Sequence, residues 1–225
     1  MTTKIQKKYK MNNKLEYRAI SDFSKDEESR TIRGLAIPVE QRSEVLYGEI
    51  REMITRSAVD EELIASNDVK LYIDHMPMRG TLARSKYGKG SLKLFITERG
   101  LEFETTLPDT ELGNEILRGM ERGDYDQMSF GFLVGKDHYD SKPDENGIWN
   151  RYIDNFKMLD EISILSQLPA YSQTEVSKRS LDEAKEVYNK ELEERNLEEQ
   201  KKEEELLNSL DAKMSEVEEL AKLDN

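Results

Sequence analysis

The 225-residue sequence contains no cysteine and only two histidines, His75 and His138. The missing cysteines exclude disulfides, thiolate catalysis and cysteine-ligated zinc, and two histidines make no histidine-rich metal cage. Chemistry then rests on hydroxyls, carboxylates and very few imidazoles, with no metal and no cofactor expected. No stretch approaches the roughly 18 to 20 consecutive apolar residues of a membrane span, and the N-terminus lacks the pattern of a signal peptide. A soluble cytoplasmic protein with no membrane partner is the expectation. Cations are also in deficit, 34 Lys plus Arg against 47 Asp plus Glu, for a formal charge of −13. Affinity for a phosphate backbone grows with clustered Lys and Arg, so no nucleic-acid partner is expected.

The charge that is present is uneven. Residues 181–225 hold 16 acids against 7 bases, a net −9 that leaves −4 for residues 1–180. The first ten residues run the other way, with Lys4, Lys7, Lys8 and Lys10 and no acid. From Ser180 onward the composition turns to Glu, Lys and Leu without Gly or Pro, at loose helical spacing. That composition suits a long helix that awaits a partner more than a self-sufficient coiled coil. Three segments follow: a flexible basic leader over 1–14, a folded domain over 15–177, and an acidic helical tail over 178–225.

Within the middle segment apolar residues fall at every second position, the period of strands with one buried face. Leu92, Leu94 and Ile96 and then Leu101, Phe103 and Thr105 flank Glu98-Arg99-Gly100, which predicts an antiparallel hairpin. Further strands are predicted over Glu16–Ala19, Thr31–Ile37, Glu49–Ile54, Val69–Asp74, Met128–Val134, Tyr152–Lys157 and Asp160–Leu165. Helices are predicted over Ala58–Ala65 and Thr110–Arg122, the second capped by Asp109 or Thr110 and closed by Gly123. Residues 140–150 carry turn chemistry and read as an exposed loop. So many short strands suggest a barrel or a sandwich.

His75 closes an apolar strand where it emerges into a loop, an address common for functional side chains, although a half-buried surface histidine is the plainer reading. His138, among Asp137, Tyr139 and Asp140, reads as solvated or locally hydrogen-bonded. Ser129 sits in Met128-Ser129-Phe130-Gly131-Phe132. A serine becomes a nucleophile only with a base to take its proton and donors to receive the oxyanion, and Gly131 would admit close approach. The alternative is a strand serine bonded to a neighbour. Alternation puts Glu161 and Ser163 on one face of their strand and Ile162 and Ile164 on the other, so Glu161 either orients an imidazole or lies exposed. Arg84, Arg118 and Arg122 are available cations for an oxyanion or substrate, or surface ion-pair partners. Glu102 and Glu104 fall on the solvent face of the hairpin, which argues against two-carboxylate glycosidase chemistry.

Taken in order, Arg33-Gly34-Leu35-Ala36, Glu52-Met53-Ile54, Asp74-His75, Gly80-Thr81-Leu82-Ala83-Arg84, Gly100-Leu101-Glu102-Phe103, Arg122-Gly123, Met128-Ser129-Phe130-Gly131-Phe132, Asp160-Glu161-Ile162-Ser163-Ile164 and Pro169-Ala170 form a series. It resembles the prohead proteases of tailed bacteriophages, relatives of the herpesvirus assemblins, over about residues 15–177. The resemblance implies an α+β fold, a mainly antiparallel β-barrel flanked by helices. It implies a serine endopeptidase inside the immature prohead in the host cytoplasm, cutting scaffold or the scaffolding segment of the major capsid protein, and itself. Carried over, it makes Ser129 the nucleophile, His75 the base and Glu161 the third member, with His138 as the alternative because the herpesvirus relatives use a second histidine. Backbone groups near Phe130 and Gly131, or Arg84, would receive the oxyanion. The implied partners are the major capsid protein and scaffold, and a second copy of the chain as in assemblins. An inactive assembly protein on the same fold, or an unrelated acidic β-domain, are the competing readings.

Overall fold

The computed structural model describes residues 15–20, 23–25, 29–166 and 181–204. The predicted leader, Pro169-Ala170 and the end of the tail lie outside them. The chain divides into two compact units, Met1–Lys178 and Arg179–Asn225. In the second, residues 181–204 are helical and leave Val187, Leu192 and Leu197 exposed.

The first unit is α+β and dominated by strands. In chain order these are β1 (Glu16–Ile20), β2 (Phe23–Lys25), β3 (Thr31–Pro38), β4 (Ile50–Ile54), β5 (Asp68–Ile73), β6 (Ala83–Lys86), β7 (Lys89–Gly90), β8 (Lys93–Thr97), β9 (Gly100–Thr106), β10 (Gln127–Tyr139) and β11 (Trp149–Leu165). One sheet runs β1-β10-β11-β5-β6-β7, with β4 also on β11, and the other runs β2-β3-β9-β8. One hydrophobic core draws Ile32, Ala36, Ile37, Leu101 and Phe103 from the smaller sheet and Leu71, Ile73, Met128, Phe130, Phe132, Ile162 and Ile164 from the larger. The predicted barrel is not closed: among the described residues the ladders form two open sheets that share a core.

The predicted hairpin forms, with Thr97 opposite Gly100 and Glu98-Arg99 as its link. Helix α2 (Glu111–Arg122) starts where Thr110 accepts the Gly113 amide and stops at left-handed Gly123, φ 78°. The earlier helix is shorter than its prediction. Asp60 caps α1 (Glu61–Ser66) by accepting from the Leu63 amide, and that cap needs extended backbone, so Arg56–Ala58 is a separate 3₁₀ turn. The two strands predicted over residues 152–165 are one. Gly131 faces Glu161 while Phe132 faces Leu159, so Asp160 is an extra residue in β11. This bulge reverses the alternation, letting Leu159 enter the core while Glu161 points to the opposite face.

The core side of the large sheet ends in a buried ion network that joins four strands. Arg18 on β1 holds Glu52 on β4 through Nε and Nη2 at 2.6 and 2.7 Å, and Glu16 at 2.8 Å. Arg151 on β11 holds Glu16 and Glu52 at 2.9 Å each and Asp137 on β10 at 2.7 Å. Burial alone would raise the Glu52 pKa, but the charges and hydrogen bonds of Arg18 and Arg151 outweigh it and hold this carboxyl below its ordinary value. A depressed folded-state pKa gives stability that is present above the unfolded value, about 4.3, and is lost as pH falls through the folded one. Glu52→Gln leaves two buried guanidiniums short of their partner and is expected to cost about 3–5 kcal/mol. Urea denaturation near neutral pH measures that loss, and repeating it at acid pH should show a smaller difference between variant and wild type.

Candidate active site

β10 is flanked by β1 and β11, and its side chains divide cleanly between two environments. Met128, Phe130 and Phe132 enter the core, where the two phenylalanine rings stack at 5.3 Å. Ser129 and Gly131 therefore occupy the opposite face. Across the ladder Ser129 pairs with Ser163 and Gly131 with Glu161, while Tyr17 of β1 pairs with Gly131 from the other side. Three distant segments thus put Tyr17, Ser129, Glu161 and Ser163 on one patch of sheet.

His75 arrives from β5, whose parallel ladder with β11 runs Glu161↔Lys70 to Ile164↔Ile73. The ladder goes on one step, since the Asp74 amide donates to the Ile164 carbonyl at 2.9 Å. The chain then reverses in a tight turn closed by Met76 N–H to Ile73 C=O, 2.9 Å, with Asp74 and His75 both left-handed at φ 51° and 57°. Non-glycine residues visit this region rarely, Asp and His more readily than most. The turn brings the imidazole back over β11, where Nδ1 lies 2.5 Å from Glu161 Oε1. The other carboxylate oxygen, Oε2, accepts from Ser163 Oγ at 2.5 Å. With the Ser163 hydroxyl so engaged, Ser129 Oγ and His75 Nε2 are two buried polar atoms that have no hydrogen-bond partner among the described residues. Open buried polar atoms of this kind call for an explanation, a catalytic role among them, and Ser85 Oγ and Gln127 Oε1 share the condition.

Tyr17 roofs the imidazole, ring centroids 4.4 Å apart at 59°. Burial and then the negative charges of Glu161 and Asp160 push its phenol pKa up, so it remains neutral beside the histidine. Gly131 makes room for this arrangement: a Cβ there would lie 2.7 Å from the Tyr17 ring and 2.8 Å from Glu161 Oε1. The glycine admits the roof and the carboxylate.

The remaining predicted groups lie elsewhere. The Phe130 side chain faces the core. Arg84 on β6 grips Asp68 through both Nε and Nη2. Arg118 donates to the Asn114 carbonyl within α2, and Arg122 pairs with Asp124. His138 is in β10 and not in a loop; its Nδ1 lies 2.6 Å from Asp154 and its ring stacks on Tyr152 at 4.8 Å. It is nine residues from Ser129 along the strand, roughly 30 Å. Glu102 bonds Thr97 and Glu104 pairs with Arg33. No cluster of three or more metal-ligating side chains occurs among the described residues. Tyr17 was not foreseen, because an aromatic alternating with charged neighbours reads as one more core contact.

Gly131→Ala is expected to displace the Tyr17 ring or the Glu161 carboxylate and to cost about 1–3 kcal/mol. Thermal melting measures the cost, and the imidazole proton resonances of His75 should shift while those of His138 stay unmoved.

No curated protein and no solved structure matches the chain. A family model does match, over residues 14–187, and it describes the caudovirus prohead serine proteases. The matched stretch spans β1 to β11 and every residue of the patch around His75 and Ser129. The chain belongs to the caudovirus prohead serine protease family.

Proposed function

We propose that this serine protease of phage capsid maturation uses Ser129 as nucleophile, His75 as general base and Glu161 as the carboxylate that holds the imidazole. The observation that carries the assignment is the polarity of the hydrogen bonding. His75 Nδ1 and Ser163 Oγ both engage Glu161, while His75 Nε2 and Ser129 Oγ, on the same face, are left open. Of the two serines in the patch, Ser129 is the one whose proton is not already engaged.

In the reaction His75 Nε2 takes the Ser129 proton as Oγ bonds to the scissile carbonyl carbon, and Glu161 offsets the charge of the imidazolium. The tetrahedral intermediate collapses as His75 passes the proton to the leaving amine, which departs and leaves an acyl-enzyme. Water then adds to the acyl carbon with His75 again as base, and the Ser129 Oγ–acyl bond breaks as His75 returns the proton to Oγ, releasing the new carboxyl end. The oxyanion falls to backbone N–H groups in the Phe130–Phe132 stretch or to an arginine.

The substrate is the scaffold or the scaffolding segment of the major capsid protein, and the enzyme also cuts itself. It works inside the immature prohead, with capsid protein and scaffold as partners and a second copy of the chain as a further one. The acidic tail, exposed along residues 181–204 apart from a few positions, suits docking on a helical scaffold that brings the enzyme into the shell.

Co-expression with the major capsid protein, followed by mass spectrometry, tests the assignment. The wild type should shorten capsid or scaffold protein. Ser129→Ala should fold, enter proheads and leave both intact, with turnover lowered by a factor on the order of 10⁶. Processing by Ser129→Ala at the wild-type rate would refute it. Deleting residues 181–225 should abolish entry into proheads and spare cleavage of a peptide that spans the junction found in the first experiment; normal entry would remove the docking role.

A further inference from the structure

We infer that Asp74 is a positioning residue for His75, its carboxylate locking the strained turn to the end of the strand that carries Glu161. The inference rests on His75 being the base and adds to it the means by which the imidazole is held.

The backbone at Asp74 and His75 is left-handed twice in succession, φ 51° and 57°, a conformation that glycine would adopt without steric penalty. A requirement for the turn alone would favour glycine at the first position. Asp74 instead brings a carboxylate, and every described bond of that carboxylate ties the turn to something rigid. Oδ1 accepts from the Ser166 amide at 2.8 Å and from Ser166 Oγ at 3.0 Å, and Oδ2 lies 3.1 Å from the same hydroxyl. Ser166 directly follows β11, three residues beyond Ser163 and five beyond Glu161. Oδ2 also accepts from Arg79 Nη1 at 3.2 Å, and Arg79 Nη2 reaches Glu115 on α2 at 2.5 Å. The loop that follows His75 is thereby anchored on both sides.

The clamp spans a short lever. Asp74 precedes the base, and its partner Ser166 ends the strand whose carboxylate receives the imidazole. Loosening the clamp lets the turn relax towards ordinary φ values and carries the ring away from Glu161. A displacement near 1 Å at a reacting group lowers rates by about 10²-fold.

Asp74→Gly and Asp74→Asn separate the clamp from the fold. Glycine relieves the backbone strain while it deletes the acceptor; asparagine tolerates the left-handed region and keeps a carbonyl oxygen for the Ser166 amide. Two readouts serve: the rate at which a fluorophosphonate labels Ser129 in the full chain, and the low-field NMR proton of the His75–Glu161 hydrogen bond. Asp74→Gly should melt near the wild-type temperature, label about 10²-fold more slowly and lose the low-field proton. Asp74→Asn should retain most of the rate and the resonance. Ser166→Ala, which removes one donor at an exposed position, should slow labelling by a smaller factor at unchanged melting temperature, and it decides the matter if Asp74→Gly unfolds. Wild-type labelling and an unshifted proton in Asp74→Gly would overturn the inference, as would equal loss in the glycine and asparagine variants. Absence of labelling in the wild type would instead strike the Ser129 assignment, and the resonance would still decide the role of Asp74.

Discussion

The antiparallel ladder between β10 and β11 is the constraint on which the other features depend. Its period of two assigns Phe130, Phe132, Ile162 and Ile164 to the core and Ser129, Gly131, Glu161 and Ser163 to the far side. A slip of one residue would exchange the two sets, turning hydroxyls and a carboxylate into the hydrophobic core and Phe130 and Phe132 out of it. Hydrophobic burial therefore fixes the polar patch without acting on it directly. Of the ladder's register shifts, the bulge at Asp160 is the one that lets a single long strand serve the core at Leu159 and the patch at Glu161.

The two faces of this sheet treat buried polarity in opposite ways. On the core side, the acids Glu16, Glu52 and Asp137 and the guanidiniums Arg18 and Arg151 satisfy one another, and the Arg18 guanidinium also lies over the Phe132 ring. Such a network contributes little net stability relative to a well-packed apolar core, yet losing one member is severe, so it fixes how β1, β4, β10 and β11 meet. On the opposite side, each Glu161 carboxylate oxygen is engaged, one by His75 and one by Ser163, while Ser129 Oγ and His75 Nε2 are left open. The first arrangement closes its polar groups on one another, and the second leaves two of them open.

Much of the framework was legible in the sequence. The β8–β9 hairpin and α2 announced themselves through clean alternation and through Thr110 and Gly123 at the helix ends. β2, β6 and β7, of two to four residues, are too short to display a period. β11 read as two strands because its bulge interrupts the alternation. Glu52 lies between Ile50 and Ile54 on the buried face of β4, a signal that a charged residue faces inward, but burial of that charge depends on arginines from strands far away in sequence. Read alone, His75, Ser129 and Glu161 each had a plainer reading than catalysis, and only their order along the chain, matching a family pattern, raised them together. Gly131 read as room for close approach; its neighbours show that the room is filled by Tyr17 and Glu161. The many short strands left a barrel and a sandwich both open, the family pattern chose the barrel, and the described ladders stop short of closing it.

The wiring of the large sheet also bears on when such a site can exist. β1 pairs with β10 more than a hundred residues later, and β5 meets β11 only after every intervening strand has been made. His75 and Glu161 are 86 positions apart. Pairings of such long sequence separation form slowly, because loop closure must precede any compensating contact. A chain still emerging from the ribosome, or one collapsed around its local hairpin alone, has no assembled patch. The topology thus makes the patch one of the last features of the domain to form, behind its local hairpin and helix.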